Sequence, residues 1–132
     1  MKPGVVSTVA ASAGVVLFVT ALSAVGQTPA PSAKAGEGVY ERYCISCHTV
    51  DAKSEAAPTL KGIVGRRVGS TKFAAYSPAL KVAHKKGDRW TDERLEKYIS
   101  HPDSVYPGTA MSVRIQSPSN RANLMAYLKT LK

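Results

Sequence analysis

The sequence predicts an all-α domain of three to five short helices joined by long loops, and three observations carry that expectation. Two segments in the second half repeat apolar residues at helical spacing with capping residues in place. A shorter segment near residue 40 shows part of the same pattern. No stretch alternates polar and apolar side chains as a half-buried strand must.

The chain opens on a leader at 1–26. Lys2 is its only charged side chain, and Val5 to Val25 is an uncharged run rich in Val and Ala. A basic start, an apolar stretch and small residues at Ala21-Leu22-Ser23 or Ala24-Val25-Gly26 fit a secretory signal peptide. The run is also long enough to span a bilayer, so an uncleaved membrane anchor stands as the other reading. Its many small and hydroxylated residues weaken it as a span and favour cleavage. Residues 27–34, including Pro29 and Pro31, have no core-forming pattern and read as a linker. The domain proper is 35–132.

Within it, Val39, Tyr40 and Tyr43 place a first helix over Ala35 to Cys44. The stretch from Pro58 to Asp88, rich in Gly, Lys and small residues, shows no sustained period and is expected to be loops and turns. Thr91 caps a second helix, with Asp92 and Glu93 in its first turn, where carboxylates favour the helix dipole. Leu95, Tyr98 and Ile99 form its inner face, and Pro102 ends it. For the last helix Ser117 is the cap and Pro118 the first residue. Leu124, Tyr127, Leu128 and Leu131 then repeat at i, i+3, i+4 and i+7.

The chemistry is concentrated in Cys44-Ile45-Ser46-Cys47-His48, which holds both cysteines of the chain. Cys-x-x-Cys-His is the attachment signature for c-type haem. Two thiols add to the vinyl groups of one porphyrin, and the adjoining imidazole reaches the iron. A thioredoxin-type disulfide would belong near a βαβ pattern, and none is found. A structural zinc site needs four Cys or His ligands; there is no second Cys-x-x-Cys, and His84 and His101 are not at paired helical spacing. A haem inside so small a domain would supply apolar surface that side chains otherwise must, so the domain is expected to fold poorly until it is attached.

His48 calls for a second iron ligand. Met1 lies in the leader, and Met125, beside Leu124 on the last helix, reads as core. Met111 follows a Pro107-Gly108 turn that can pin a thioether in an irregular loop, and His/Met ligation is a standard arrangement. His84 and His101 are the bis-histidine alternatives; both read as surface residues, one in a lysine-rich loop and one before a proline.

Beyond Lys2, 17 basic and 9 acidic side chains remain, a net charge of +8. Arg66, Arg67, Lys72, Lys81, Lys85, Lys86 and Arg89 cluster in mid-chain. Such a field favours an acidic partner met in fast, salt-sensitive encounters. No nucleic-acid motif accompanies the charge, and no nucleic-acid partner is expected.

Taken in order, Cys44-Ile45-Ser46-Cys47-His48-Thr49-Val50, Pro58-Thr59-Leu60, Gly65-Arg66-Arg67, Phe73-Ala74-Ala75-Tyr76-Ser77, Trp90, Leu95, Tyr98, Pro107-Gly108-Thr109-Ala110-Met111 and Leu124 to Lys129 resemble the class I c-type cytochromes, the mitochondrial-type cytochromes c and bacterial cytochromes c2. The match covers about 36–129. The resemblance implies the small cytochrome c fold wrapped around one haem c, attached through Cys44 and Cys47 and ligated by His48 and Met111. It implies that Gly36 and Tyr40 cross the last helix against Leu124 and Tyr127. The Pro58 carbonyl would orient the imidazole; Arg66, Tyr76 and Trp90 would hold a buried propionate; Tyr98 and Thr109 would stand near the methionine side.

Three positions depart from the pattern. Ala110 stands where many relatives have lysine, Leu80 where asparagine is frequent, and Val113 where an aromatic is frequent. The implied function is one-electron transfer by a monomeric carrier, not an enzyme, exported to the bacterial periplasm. It touches a membrane only if residues 5–25 are retained. Its partners would carry acidic docking faces: a quinol–cytochrome c oxidoreductase-like donor and an oxidase, photosynthetic centre or peroxidase-like acceptor. An open-site haem enzyme or ligand sensor, and a fixed electron-entry subunit of a larger oxidoreductase, are the rival readings.

Overall fold

The computed structural model describes residues 29–50 and 56–132, together with Met1 and Gly4. The leader expected at 1–26 therefore lies, those two residues apart, outside the described residues. The order is α1 (Ala33–Tyr43), α2 (Pro78–Lys86), α3 (Asp92–Ser100), α4 (Pro102–Val105) and α5 (Pro118–Leu128). Among the described residues there is no strand, only a single bridge between Arg67 and Arg89. None of these helices is long and apolar enough to cross a membrane.

α1 begins two residues before the expected Ala35, because the Ser32 side chain accepts from the Ala35 amide and so caps it. Its inward residues, Gly36, Val39 and Tyr40, face α5. Gly36 is the point of crossing: a Cβ there would lie 2.0 Å from the Asn123 carbonyl oxygen and 2.8 Å from the Tyr127 Cβ. Only hydrogen fits. Four residues on, the Tyr40 ring lies 5.4 Å from that of Tyr127.

α2 corrects the expectation of loops from Pro58 to Asp88. Ser77 caps it by accepting from the Leu80 amide, and Pro78 stands in its first turn. Gly87, at φ 81°, ends it in a left-handed cap that few other residues adopt without strain. Leu80 and Ala83 are its buried residues, so too short an apolar stripe faced inward to register as a period. His84 is accordingly helical and half-buried rather than a surface loop residue, and its Nδ1 donates to the Val68 carbonyl at 2.8 Å.

α3 and α5 start where expected, capped by Thr91 and Ser117. Pro102 follows the end of α3 but also opens α4, a role suited to a residue without an amide proton to leave unpaired. α5 stops at Leu128, and Leu131, expected on its inner face, lies beyond it. There its carbonyl accepts from the Gly62 amide at 2.6 Å. Trp90, Tyr98 and Tyr106 form an aromatic cluster with ring separations of 4.8 to 5.9 Å. The Tyr106 hydroxyl donates to Asp88 Oδ2 at 2.9 Å.

Gly36→Ala is expected to lower the unfolding free energy of the haemylated protein by about 1–3 kcal/mol, as overpacking does. Gly38→Ala, where an added Cβ meets nothing within 4 Å, should raise it by about 0.5–1 kcal/mol in the same denaturant titration. Tyr106 supplies a pH test. Burial, then the Asp88 bond, pushes its hydroxyl up to about 12. Its contribution is full below the ordinary value of about 10 and is lost as pH rises through the folded value. The stability advantage of wild type over Tyr106→Phe should be constant up to pH 10 and shrink towards pH 12.

Candidate haem-binding site

The attachment motif continues the end of α1. The Tyr40 carbonyl accepts from the Cys44 and Ile45 amides, and the Cys44 carbonyl accepts from those of Cys47 (3.1 Å) and His48 (2.8 Å). This tight turn sets both thiols and the imidazole on one wall. The Tyr40 hydroxyl fixes it by donating to the His48 carbonyl at 2.7 Å.

Facing that wall is a cavity of about 420 Å³, within the range of cofactor sites. Of the ten residues expected at the site, Cys44, Cys47, His48, Pro58, Tyr76, Trp90, Tyr98, Thr109 and Met111 all line it. So do the three departures, Leu80, Ala110 and Val113. Met125 is buried in the core, away from the lining. His101 is exposed and contributes nothing to the wall.

Arg66 is the tenth. Its guanidinium donates to the carbonyls of Thr59 (2.7 Å) and Lys61 (2.5 Å) and does not line the cavity. Its charge still reaches His48 and Tyr76. The Tyr76 hydroxyl pairs with Thr71 Oγ1 at 2.7 Å.

His48 Nδ1 lies 2.7 Å from the Pro58 carbonyl oxygen. A carbonyl can only accept, so Nδ1 carries the proton and Nε2 keeps its lone pair. Burial holds the imidazole below its ordinary pKa, with the Pro58 bond opposing and the Arg66 charge assisting. The neutral, metal-ligating form is the stable one. The Cys44 thiol is pushed up to about 11 by burial and then by its neighbour Cys47. An apolar cavity with two thiols on one wall, an imidazole with an oriented lone pair and a thioether in the lining suits a covalently held haem.

Sequence periodicity placed Leu95, Ile99, Leu124 and Leu128 on the inner faces of two helices without saying what they face, and they line the cavity. Ile63 and Phe73 join them from the segment read as loops. A core residue and a cofactor-facing residue leave the same apolar signature, and only the tertiary arrangement separates them.

Comparison with known proteins places the chain. The family model described as cytochrome c matches residues 33–132. The chain is 38% identical over 109 residues to cytochrome c2 of Rhodopila globiformis, covering 81% of this chain and all of that one. It is 40% identical over 100 residues to the cytochrome c-type cyt cy of Rhodobacter capsulatus, covering 75% of this chain but 49% of that protein. Among solved structures, cytochrome cH from Methylobacterium extorquens superposes with a TM-score of 0.67 at 37% identity, covering 75% of this chain and 98% of that one. Ferricytochrome c2 from Rhodopseudomonas palustris gives 0.69 at 30% identity, covering 76% and 99%. The fold and site define a class I cytochrome architecture, its described residues mostly helical and arranged around the cavity. The chain belongs to the cytochrome c family, which implies covalent haem c and electron transfer.

The Tyr98 and Thr109 hydroxyls share a short hydrogen bond on the wall beside Met111. Tyr98→Phe or Thr109→Val should each destabilise the haemylated protein by about 1–2 kcal/mol, since each strands a buried hydroxyl. The double variant should cost about 1 kcal/mol less than the sum of the two in denaturant unfolding.

Proposed function

We propose that this protein is a one-electron carrier whose haem, bound through Cys44 and Cys47, is ligated by His48 and Met111. The observation that carries the reading is that all four residues line one apolar cavity, with His48 already oriented by Pro58. When bound, the haem supplies an iron that accepts and returns a single electron.

The chain's own residues do the rest. The Pro58 carbonyl fixes the imidazole tautomer and raises its basicity. A thioether ligand raises the potential relative to bis-histidine ligation. Tyr98 and Thr109 brace the loop that carries Met111. Trp90 and Tyr76 offer an indole and a phenol to a propionate. Arg66, tied to the 59–61 backbone, acts there through its charge. Buried Leu, Ile and aromatic side chains keep water from the ring, so little reorganises around a change of one charge.

The carrier works outside the bacterial cytoplasm, in the periplasm, where covalent haem attachment takes place in families with this motif. It is soluble after removal of 1–26, or tethered if 5–25 stays. It is a monomer whose positive charge attracts acidic redox proteins. One, resembling a quinol–cytochrome c oxidoreductase, delivers the electron, and an oxidase, photosynthetic centre or peroxidase takes it. Weak, short-lived complexes suit such a shuttle.

The near-infrared sulfur-to-iron charge-transfer band of the oxidised, haemylated protein tests the ligand set. It should be present in wild type and Met125→Ala and absent in Met111→Ala. Its absence from wild type, or its loss in Met125→Ala, would overturn His48/Met111 ligation and bring the open-site reading forward.

A further inference from the structure

A cluster of aromatic rings leads from the cavity wall to a carboxylate at the surface. Trp90 and Tyr98 line the cavity, and their ring centroids are 4.8 Å apart. Tyr106 stands behind them, outside the lining, 5.7 Å from Trp90 and 5.9 Å from Tyr98. All these rings are buried. The Tyr106 hydroxyl donates to Asp88 Oδ2 at 2.9 Å, and Asp88 Oδ1 lies 3.8 Å from the Arg94 guanidinium. Those two charged side chains reach solvent, Asp88 with 27% and Arg94 with 35% of the side chain exposed. Asp88 is fixed by its backbone, its amide donating to the Ala83 carbonyl and its carbonyl accepting from the Val68 amide.

The partner of the Tyr106 hydroxyl differs in kind from those of other tyrosines. The hydroxyls of Tyr76 and Tyr98 pair with those of Thr71 and Thr109, and Tyr40 donates to a backbone carbonyl. A phenol stripped of one electron becomes a strong acid and must shed its proton. Neither an alcohol nor an amide carbonyl is basic enough to take it, whereas an ionised carboxylate is. Asp88 Oδ2 already stands within the hydrogen-bond reach that a general base requires.

Resting on the electron-carrier reading, we propose that Tyr106 is a second redox site, oxidised with proton transfer to Asp88 and connected to the haem through Trp90 and Tyr98. Its substrates are small one-electron-oxidising radicals that arrive at the Asp88–Arg94 surface. The radical takes one electron from Tyr106. The phenolic O–H bond breaks, and the proton forms a new O–H bond at Asp88 Oδ2. Tyr106 is left as a neutral phenoxyl. An electron from the ferrous haem then crosses the ring cluster to Tyr106, and Asp88 returns the proton. The net change is one radical reduced and one iron taken from ferrous to ferric, with both residues restored.

Azidyl radicals made by pulse radiolysis take single electrons from phenols and indoles, and they test this on the haemylated protein. In the ferric form the iron has no electron to return, so the phenoxyl accumulates. Freeze-quenched EPR should show its signal in wild type and Tyr127→Phe and lose most of it in Tyr106→Phe. Asp88→Asn should slow its appearance by about a hundredfold, the lower end of what a positioned base contributes. In the unsubstituted protein, heavy water should slow the same step. An undiminished signal in Tyr106→Phe, or equal rates in ordinary and heavy water, would overturn the proposal. In the ferrous form the phenoxyl should vanish in step with the appearance of ferric haem. A phenoxyl that persists beside ferrous haem, while hexacyanoferrate(III) oxidises that haem fast, defeats the relay alone. Slow oxidation by hexacyanoferrate(III) as well defeats the carrier reading and the relay with it.

Discussion

A domain of about a hundred residues built around an apolar cavity of about 420 Å³ is the constraint from which the rest follows. Side chains that line such a space lack packing partners on one side until it is filled. A domain this small has little other core to make up the difference. The helices therefore cannot be justified by their contacts with one another alone. α3 and α5 turn Leu95, Ile99, Leu124 and Leu128 towards the cavity as well as towards the core, so the surface they bury is buried against whatever fills it. The haem is structural as much as functional.

The second necessity is a rigid frame for that wall. Gly36 lets α1 and α5 approach until backbone meets backbone. The attachment turn grows directly from α1, so the helix crossing sets where Cys44, Cys47 and His48 stand. Tyr40 serves both ends of this arrangement, its ring against Tyr127 and its hydroxyl on the His48 carbonyl. The Pro58 carbonyl then fixes the imidazole. Helix packing and ligand orientation are one continuous set of contacts.

Much of this was legible in the residues because capping and periodicity are local. Thr91, Ser117 and Pro118 fixed the starts of α3 and α5, and the Cys-x-x-Cys-His spacing fixed the attachment turn. What escaped was non-local or too short. α2 shows only Leu80 and Ala83 inward among lysines, and its signals were Ser77-Pro78 at one end and Gly87 at the other. Read as a Ser-Pro start and a Gly stop, they would have found it. His84 followed α2 into error, being half-buried on that helix. The bonds from Arg66 to the Thr59 and Lys61 carbonyls are of the same kind: no motif reveals them. Apolar wall residues could not be told from core because both bury the same surface.

The central claim is that the cavity must be filled for the helices to hold their arrangement. Amide hydrogen exchange tests it most directly, comparing the haemylated protein with a Cys44→Ala/Cys47→Ala chain that cannot attach haem. The account predicts strong protection across α1, α3 and α5 in the first, and protection close to that of an unfolded chain in the second. Equal, cooperative protection in the unattached chain, with no haem retained, would contradict it.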